Sequence, residues 1–259
     1  MGAGFAALSS DSAVRSRRWF FEVSAFVLIT TFVLIDPANY AIPATMPGMR
    51  EDSVATTFRQ KRLERFTRLL KPSGITKIID LGGTVSYWKS LGCLYNDPRV
   101  HITILNMFAD REYDDGNLTM RRGDACDVAF PDHHFDVVHS NSVIEHVGST
   151  ASMARMAQEV VRLAPSYFVQ TPNYWFPIEP HFKSPFVHWL PEDVRIRVLR
   201  ILRKVPSDRE RQLKAVRGTV LLSRRQMQDL FPQAEIWEER FCGLTKSLVA
   251  IAEPDASRD

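Results

Sequence analysis

Hydrophobic positions along this chain fall into short unbroken runs and longer stretches with a period near 3.6. The run Ile78-Ile79-Asp80-Leu81 stops abruptly at Gly82-Gly83. Beta-branched residues in such a run suit a strand covered on both faces, and the glycines mark a turn where the backbone can be approached closely. Comparable runs predict strands over Thr76–Leu81, His101–Asn106, Leu118–Arg122, Phe135–Ser140 and Tyr167–Gln170, with a closing pair over Ala234–Phe241 and Ser247–Ala252. Helical spacing predicts helices over Ser53–Leu70, Val85–Leu91, Ser152–Leu163 and Pro191–Val205, with Gln212–Arg225 helical in part. In the first of these, Val54, Phe58, Phe66, Leu69 and Leu70 lie near one face and Arg59, Lys61, Arg62 and Arg65 elsewhere. Strands alternating with helices of these lengths predict an α/β fold, a mostly parallel sheet with helices on both faces.

The pattern divides the chain into an N-terminal apolar segment and linker over 1–52, a domain over 53–252 with a basic helical insert at about 183–225, and a tail over 253–259. Arg15, Arg17 and Arg18 precede an apolar run from Trp19 to Ile35 that Glu22 interrupts. Val23–Ile35 would give about 20 Å of helix against a hydrocarbon core of about 30 Å. Three readings stand: a short membrane anchor, an apolar helix packed on the domain, or a start at Met46 or Met49. The last two are preferred, because an anchor with arginines inside would carry the domain out of the cytoplasm. No pair of small residues at alternate positions, as a cut requires, occurs between Asp36 and Met46, so a cleaved signal is not expected.

Composition adds little: 259 residues, 45% hydrophobic and 24% charged, describe one packed α/β domain with decoration. The formal charge of +3 does not point to nucleic acid. Its distribution says more, since Lys183–Arg225 holds twelve Lys/Arg against four Asp/Glu, a local net of +8. Cys93, Cys126 and Cys242 have no metal spacing and read as reduced thiols of a cytoplasmic protein.

Candidate chemistry gathers at the predicted strand ends, where ligands of open α/β sheets bind. Asp80 and the glycines end the first strand and Asn106 the second, where a side chain can hold ribose hydroxyls. Gly123-Asp124-Ala125 follows the third strand, offering a carboxylate for an adenine amino group and a backbone N–H for a ring nitrogen. Ser140-Asn141-Ser142 closes the fourth, and Val143–Val147 continues as a helical turn.

The series IIDLGGT, ITILNM, GDACDVAFPDHHFDVVHSNSVIEHV and FVQTPN, in that order and spacing, resembles a class I S-adenosylmethionine-dependent methyltransferase of the small-molecule, type 11-like group. The resemblance covers Ser53–Asn173 and resumes in the last two strands. It implies a Rossmann-like sheet ending in an antiparallel hairpin strand, with S-adenosyl-L-methionine as cofactor. Carried over by position, Asp80, Gly82 and Gly83 would flank the methionine part of the cofactor. Asn106 would hold ribose, Asp124 and Ala125 adenine, and Asn141 would line the cleft near the sulfonium. The chain departs from the pattern twice: Gly83-Thr84 and Ser86 replace an alternating glycine series, and Asn106 replaces the usual acid.

Methyl transfer mainly requires alignment and exclusion of water, with a base for an oxygen or nitrogen acceptor. His146 and His181 are the candidate catalytic bases, and either could instead hold its loop together. His181 follows the fifth strand in an aromatic loop suited to wall an acceptor pocket. No Cys/His/Asp cluster shows ligand spacing, so no metal site is expected. In Pro191–Val205, Val194, Val198, Ile201, Leu202 and Val205 form one stripe with the arginines largely off it. This predicts a lid helix with a solvated basic face, or contact with an anionic membrane surface suited to a lipid-linked or glycan-precursor acceptor. The expected function is methyl transfer to a small-molecule or lipid/sugar-linked acceptor. The alternatives are a non-catalytic S-adenosylmethionine-binding protein and a membrane-associated scaffold. No stacking motif or RNA-binding signature points to nucleic acid.

Overall fold

The computed structural model describes residues 54–253. The expectations for the N-terminal apolar run, the linker up to Asp52 and the end of the tail lie outside them. The chain folds as β1 (Thr76–Leu81), β2 (Val100–Leu105), β3 (Tyr113–Asp115), β4 (Leu118–Arg121), β5 (Val137–Asn141), β6 (Ser166–Pro172), β9 (Glu235–Phe241) and β10 (Leu244–Ala252) in one eight-stranded sheet. Its order is β3-β4-β2-β1-β5-β6-β10-β9. Strands β4, β2, β1, β5 and β6 run parallel, while β10 enters antiparallel between β6 and β9. The α/β class, the parallel centre and the antiparallel closing strand all match the expectation. The strand order reverses between β1 and β5, so their carboxyl ends flank the crevice where such sheets bind ligands.

Each face of the sheet carries its own core. Ile79, Leu81, Val138 and Val169 pack under α4 (Thr150–Leu163), where Met153, Met156, Val160 and Leu163 are buried. On the other face Ile78, Ile102, Ile104, Val137 and Phe168 meet Phe66 and Leu69 from α1 (Val54–Thr67) and its exit, and Trp88 from α2 (Val85–Ser90). This two-sided burial is why the central strands read as unbroken apolar runs. Helix α4 begins two residues before the predicted start, because the Ser149 hydroxyl caps it by accepting from Ser152 N at 3.1 Å. A short helix, α3 (Gly92–Tyr95), follows α2. Strand β3 was not expected: three residues pairing antiparallel with β4 at the sheet's edge carry no apolar run.

The insert after β6 holds a two-stranded hairpin, β7 (Ile178–Glu179) with β8 (Ser184–Pro185), then α5 (Glu192–Ile201) and α6 (Arg209–Arg217). Helix α7 (Arg224–Leu230) leads back to the sheet. Two expectations for α5 are corrected. It ends at Ile201, not Val205, because Arg203 takes a left-handed φ of 54° and Lys204 N–H bonds back to Leu199 O at 2.8 Å. Its fully buried residues are Ile196 and Leu199, packed with Phe182, Val187 and Val216; of the predicted stripe Val198 and Val205 pack partly against this cluster, whereas Val194, Ile201 and Leu202 are exposed. Among the described residues no helix is long and apolar enough to cross a membrane.

Candidate active site

The alternation of β1 points Asp80 to the same face as Ile78, and the β1–β5 register sets it beside His139. The Asp80 carboxylate is 1% exposed and accepts from Trp88 Nε1 at 2.7 Å and from His139 Nδ1 at 2.8 Å. His139 Nε2 then lies 3.2 Å from the Tyr87 hydroxyl, whose pKa burial and the Asp80 charge push upward. A Cβ on Gly83 would lie 1.7 Å from Asp80 Oδ2, so the carboxylate forms the floor of the glycine turn. Gly82 has φ 76°, and a Cβ there would strike Val143 at 2.6 Å.

At the end of β2, Asn106 Nδ2 donates to Gly83 O at 2.8 Å while its Oδ1 accepts from Phe108 N at 2.8 Å. This amide therefore pins the glycine turn to the next strand, which a carboxylate could not do with the same donor. Met107 and Phe108 beside it are exposed. Asp124 is exposed, its Oδ1 accepting from Cys126 N at 2.9 Å, and Ala125 is half-buried. Asn141, at the end of β5, accepts from Arg62 Nη1 at 3.1 Å. Arg62 was read as lying off the apolar face of α1. It reaches inward to Glu239, which is 1% exposed, with Nη2 to Oε2 at 2.6 Å.

His146 and His181, 35 residues apart, are brought together: their Nε2 atoms are 3.1 Å apart and the rings stand edge to face. His146 lies on a 3-10 turn over Ile144–His146, and His181 on the β7–β8 loop. His146 Nδ1 faces Gly218 O at 3.2 Å, and His181 Nδ1 faces Glu179 Oε1 at 2.7 Å. Burial, and then His181, pull His146 down to about 4. Burial opposes charge on His181 too, but the Glu179 carboxylate carries its pKa above the ordinary value. Glu145 is fully buried, accepts from Thr171 Oγ1 at 2.9 Å through Oε2, and leaves Oε1 without a partner. Burial pushes its pKa up to about 7. One ligand atom from each of Glu145, His146 and His181 lies within 4.8 Å of the others. Linear spacing does not show this grouping, because His181 arrives on a loop beyond β6, not on the same segment. An adjoining cavity of about 330 Å³ is lined by Tyr174, Glu179, Phe182, His188, Arg195 and Thr219 among others.

Trp88, His139, Glu179, Arg62 and Glu239 were missed as site residues. His139 could have been found by parity with Val137 on a buried strand; the others needed the long-range packing. Residues 93–165 match the family model described as "Methyltransferase domain". An uncharacterized protein of Mycobacterium tuberculosis is 41% identical over 51 residues, 20% of this chain and 17% of its own length. The match thus spans about a sixth of that curated relative. Among solved structures, an S-adenosylmethionine dependent methyltransferase from Mesorhizobium loti aligns over 73% of this chain and 95% of its own, with 15% identity and a TM-score of 0.44. A protein from Pyrococcus horikoshii aligns over 80% and 100%, with 17% identity and a TM-score of 0.46.

Proposed function

We propose that this chain, which carries a class I S-adenosylmethionine-dependent methyltransferase domain, methylates a small-molecule or lipid- or sugar-linked acceptor held beside His146 and His181. The observation that carries this reading is the convergence of the Gly82-Gly83 turn, Asn106 and Asp124 at the carboxyl ends of β1, β2 and β4, next to the point where the strand order reverses. The residues fit the cofactor. Asn106 keeps one Oδ1 lone pair for a ribose hydroxyl, and its second amide hydrogen is engaged only at 3.5 Å, by Gly82 O, so it too can turn to ribose. Asp124 Oδ2 can accept from an adenine amino group, the N–H of Ala125 can reach a ring nitrogen, and exposed Met107 and Phe108 offer apolar surface to the ring. Buried Asp80 acts from beneath, holding Gly83 in place. When bound, S-adenosylmethionine supplies an activated methyl group, so alignment and water exclusion are the protein's main contribution, up to about 7–11 kcal/mol. The imidazole pair beside the cavity is suited to take an acceptor's proton.

Calorimetry of the full chain with S-adenosylmethionine tests the first half, and labelled-methyl incorporation into cell extracts the second. One cofactor per chain and an extractable labelled product are expected; folded protein that binds no cofactor refutes the reading. Exposed Trp175, Phe186, Trp189 and Ile201, with Lys183, Arg197 and Arg200 on the same insert, support an anionic lipid surface as the place where the acceptor is met. Each basic residue near such a surface contributes about 1 kcal/mol. Liposome flotation should retain the protein only with anionic lipid, and equal flotation on neutral vesicles removes this partner.

A further inference from the structure

Gly218 O can only accept, and so can the Glu179 carboxylate, so the hydrogens of His146 and His181 sit on their Nδ1 atoms. In the neutral rings both Nε2 lone pairs then face each other across 3.1 Å. Two lone pairs at that distance repel unless a cation lies between them, either a proton or a metal ion. Three observations favour the metal. Glu145 Oε1 is buried with no partner, one carboxylate oxygen of Glu145 lies within 4.8 Å of a nitrogen of each histidine, and a shared proton would leave Oε1 unpaired. Glu145 and Glu179, 0% and 3% exposed, bring two carboxyl groups into the interior beside the pair, and a divalent ion would favour the ionised form of Glu145 that burial opposes. Finally, each imidazole donates its other ring N–H to a carbonyl or carboxylate, the support that orients metal-bound histidines.

We propose that Glu145 Oε1, His146 Nε2 and His181 Nε2 bind one divalent transition-metal ion of the zinc or manganese kind. Nitrogens about 2.0–2.1 Å from one ion at a tetrahedral angle stand about 3.3 Å apart, close to the separation found here. The two histidine nitrogens already stand near that separation, while the three ligand atoms together lie within 4.8 Å, so the Glu145 oxygen must close by up to about 1.5 Å through side-chain rotation. Two nitrogens and one oxygen suit zinc and the other first-row ions better than magnesium or calcium. The site shares Glu179 and Thr219 with the 330 Å³ cavity. An ion there would present a Lewis acid to an acceptor oxygen. Ion binding stands independently of methyl transfer; only this use of the ion rests on that reading.

The test is calorimetry of the chelator-treated full chain, shown folded by circular dichroism, titrated with zinc and separately with manganese. One ion per chain is expected for at least one of them. Glu145→Gln, which keeps the shape of the side chain, and His146→Ala and His181→Ala should each weaken it at least about 10-fold. The surface pair His133→Ala/His134→Ala should leave it unchanged. Folded wild-type protein that takes up neither ion overturns the proposal, as does binding that survives both His146→Ala and His181→Ala. S-adenosylmethionine binding, measured on the same sample, shows separately whether the methyltransferase reading holds.

Discussion

Replacing Asp80 by Ala removes the floor of the glycine turn. The carboxylate is 1% exposed and receives Trp88 Nε1 at 2.7 Å and His139 Nδ1 at 2.8 Å, so both donors would be left buried and unsatisfied. Hydrogen bonds to a charged group contribute about 1.5–3 kcal/mol each, which places the loss near 3–6 kcal/mol. For a domain of this size that lowers Tm by on the order of 10 °C. Cofactor affinity should fall as well, because Gly83 rests directly on Asp80 and would lose its position. Asp80→Asn separates shape from charge. Its carbonyl can still accept from Trp88, and its NH2 can donate to His139 Nδ1 if the ring moves its hydrogen to Nε2, where Tyr87 Oη can accept at 3.2 Å. The Asn variant should therefore recover more than half of the stability and most of the affinity. Urea denaturation followed by circular dichroism and calorimetry with S-adenosylmethionine measure the two effects. An Ala variant within 1 kcal/mol of wild type, by the magnitudes above, or an Asn variant as damaged as Ala, would falsify this assignment.

Arg62→Ala leaves the Glu239 carboxylate buried beside Ser247 and Lys246, and should cost about 3 kcal/mol, the low end for a broken buried pair. Arg62→Met combined with Glu239→Gln should regain most of that in a denaturation cycle; strict additivity of the two changes would refute the coupling. Burial, and then Arg62, pull Lys246 down to about 8. In that depressed state the native protein holds fewer protons than the unfolded chain between about pH 8 and the ordinary lysine value near 10.4, so stability should rise with pH across that window. Lys246→Met should flatten the rise, and an unchanged slope would assign it to other groups. Asn106→Asp would set a carboxylate against Gly83 O, 2.8 Å from the present donor. It should destabilise the turn by about 1–3 kcal/mol despite restoring the acid usual in the resembled family. A variant as stable as wild type would show that the amide's bond to Gly83 is dispensable.

The chain's own pattern determined the class of fold, because strands buried on both faces must be unbroken apolar runs and helices on a sheet must show a stripe. It also placed Asp80, Gly82, Gly83, Asn106 and Asp124 at strand ends, since a run's last residue is visible wherever a turn residue follows. Sequence could not decide what those side chains touch. Asp80 pairs with His139 because β1 and β5 are neighbours in a given register, although 59 residues of chain separate the two. The stripe of α5 was right in Val198 and Val205 but not in Val194, Ile201 and Leu202, because several faces of that helix carry apolar residues and the partners Phe182 and Val216 select Ile196 and Leu199. His146 and His181 were legible as two separate histidines. Their meeting beside a buried, unpartnered Glu145 depends on a hairpin folded back over the end of β5, a long-range contact that local spacing does not encode.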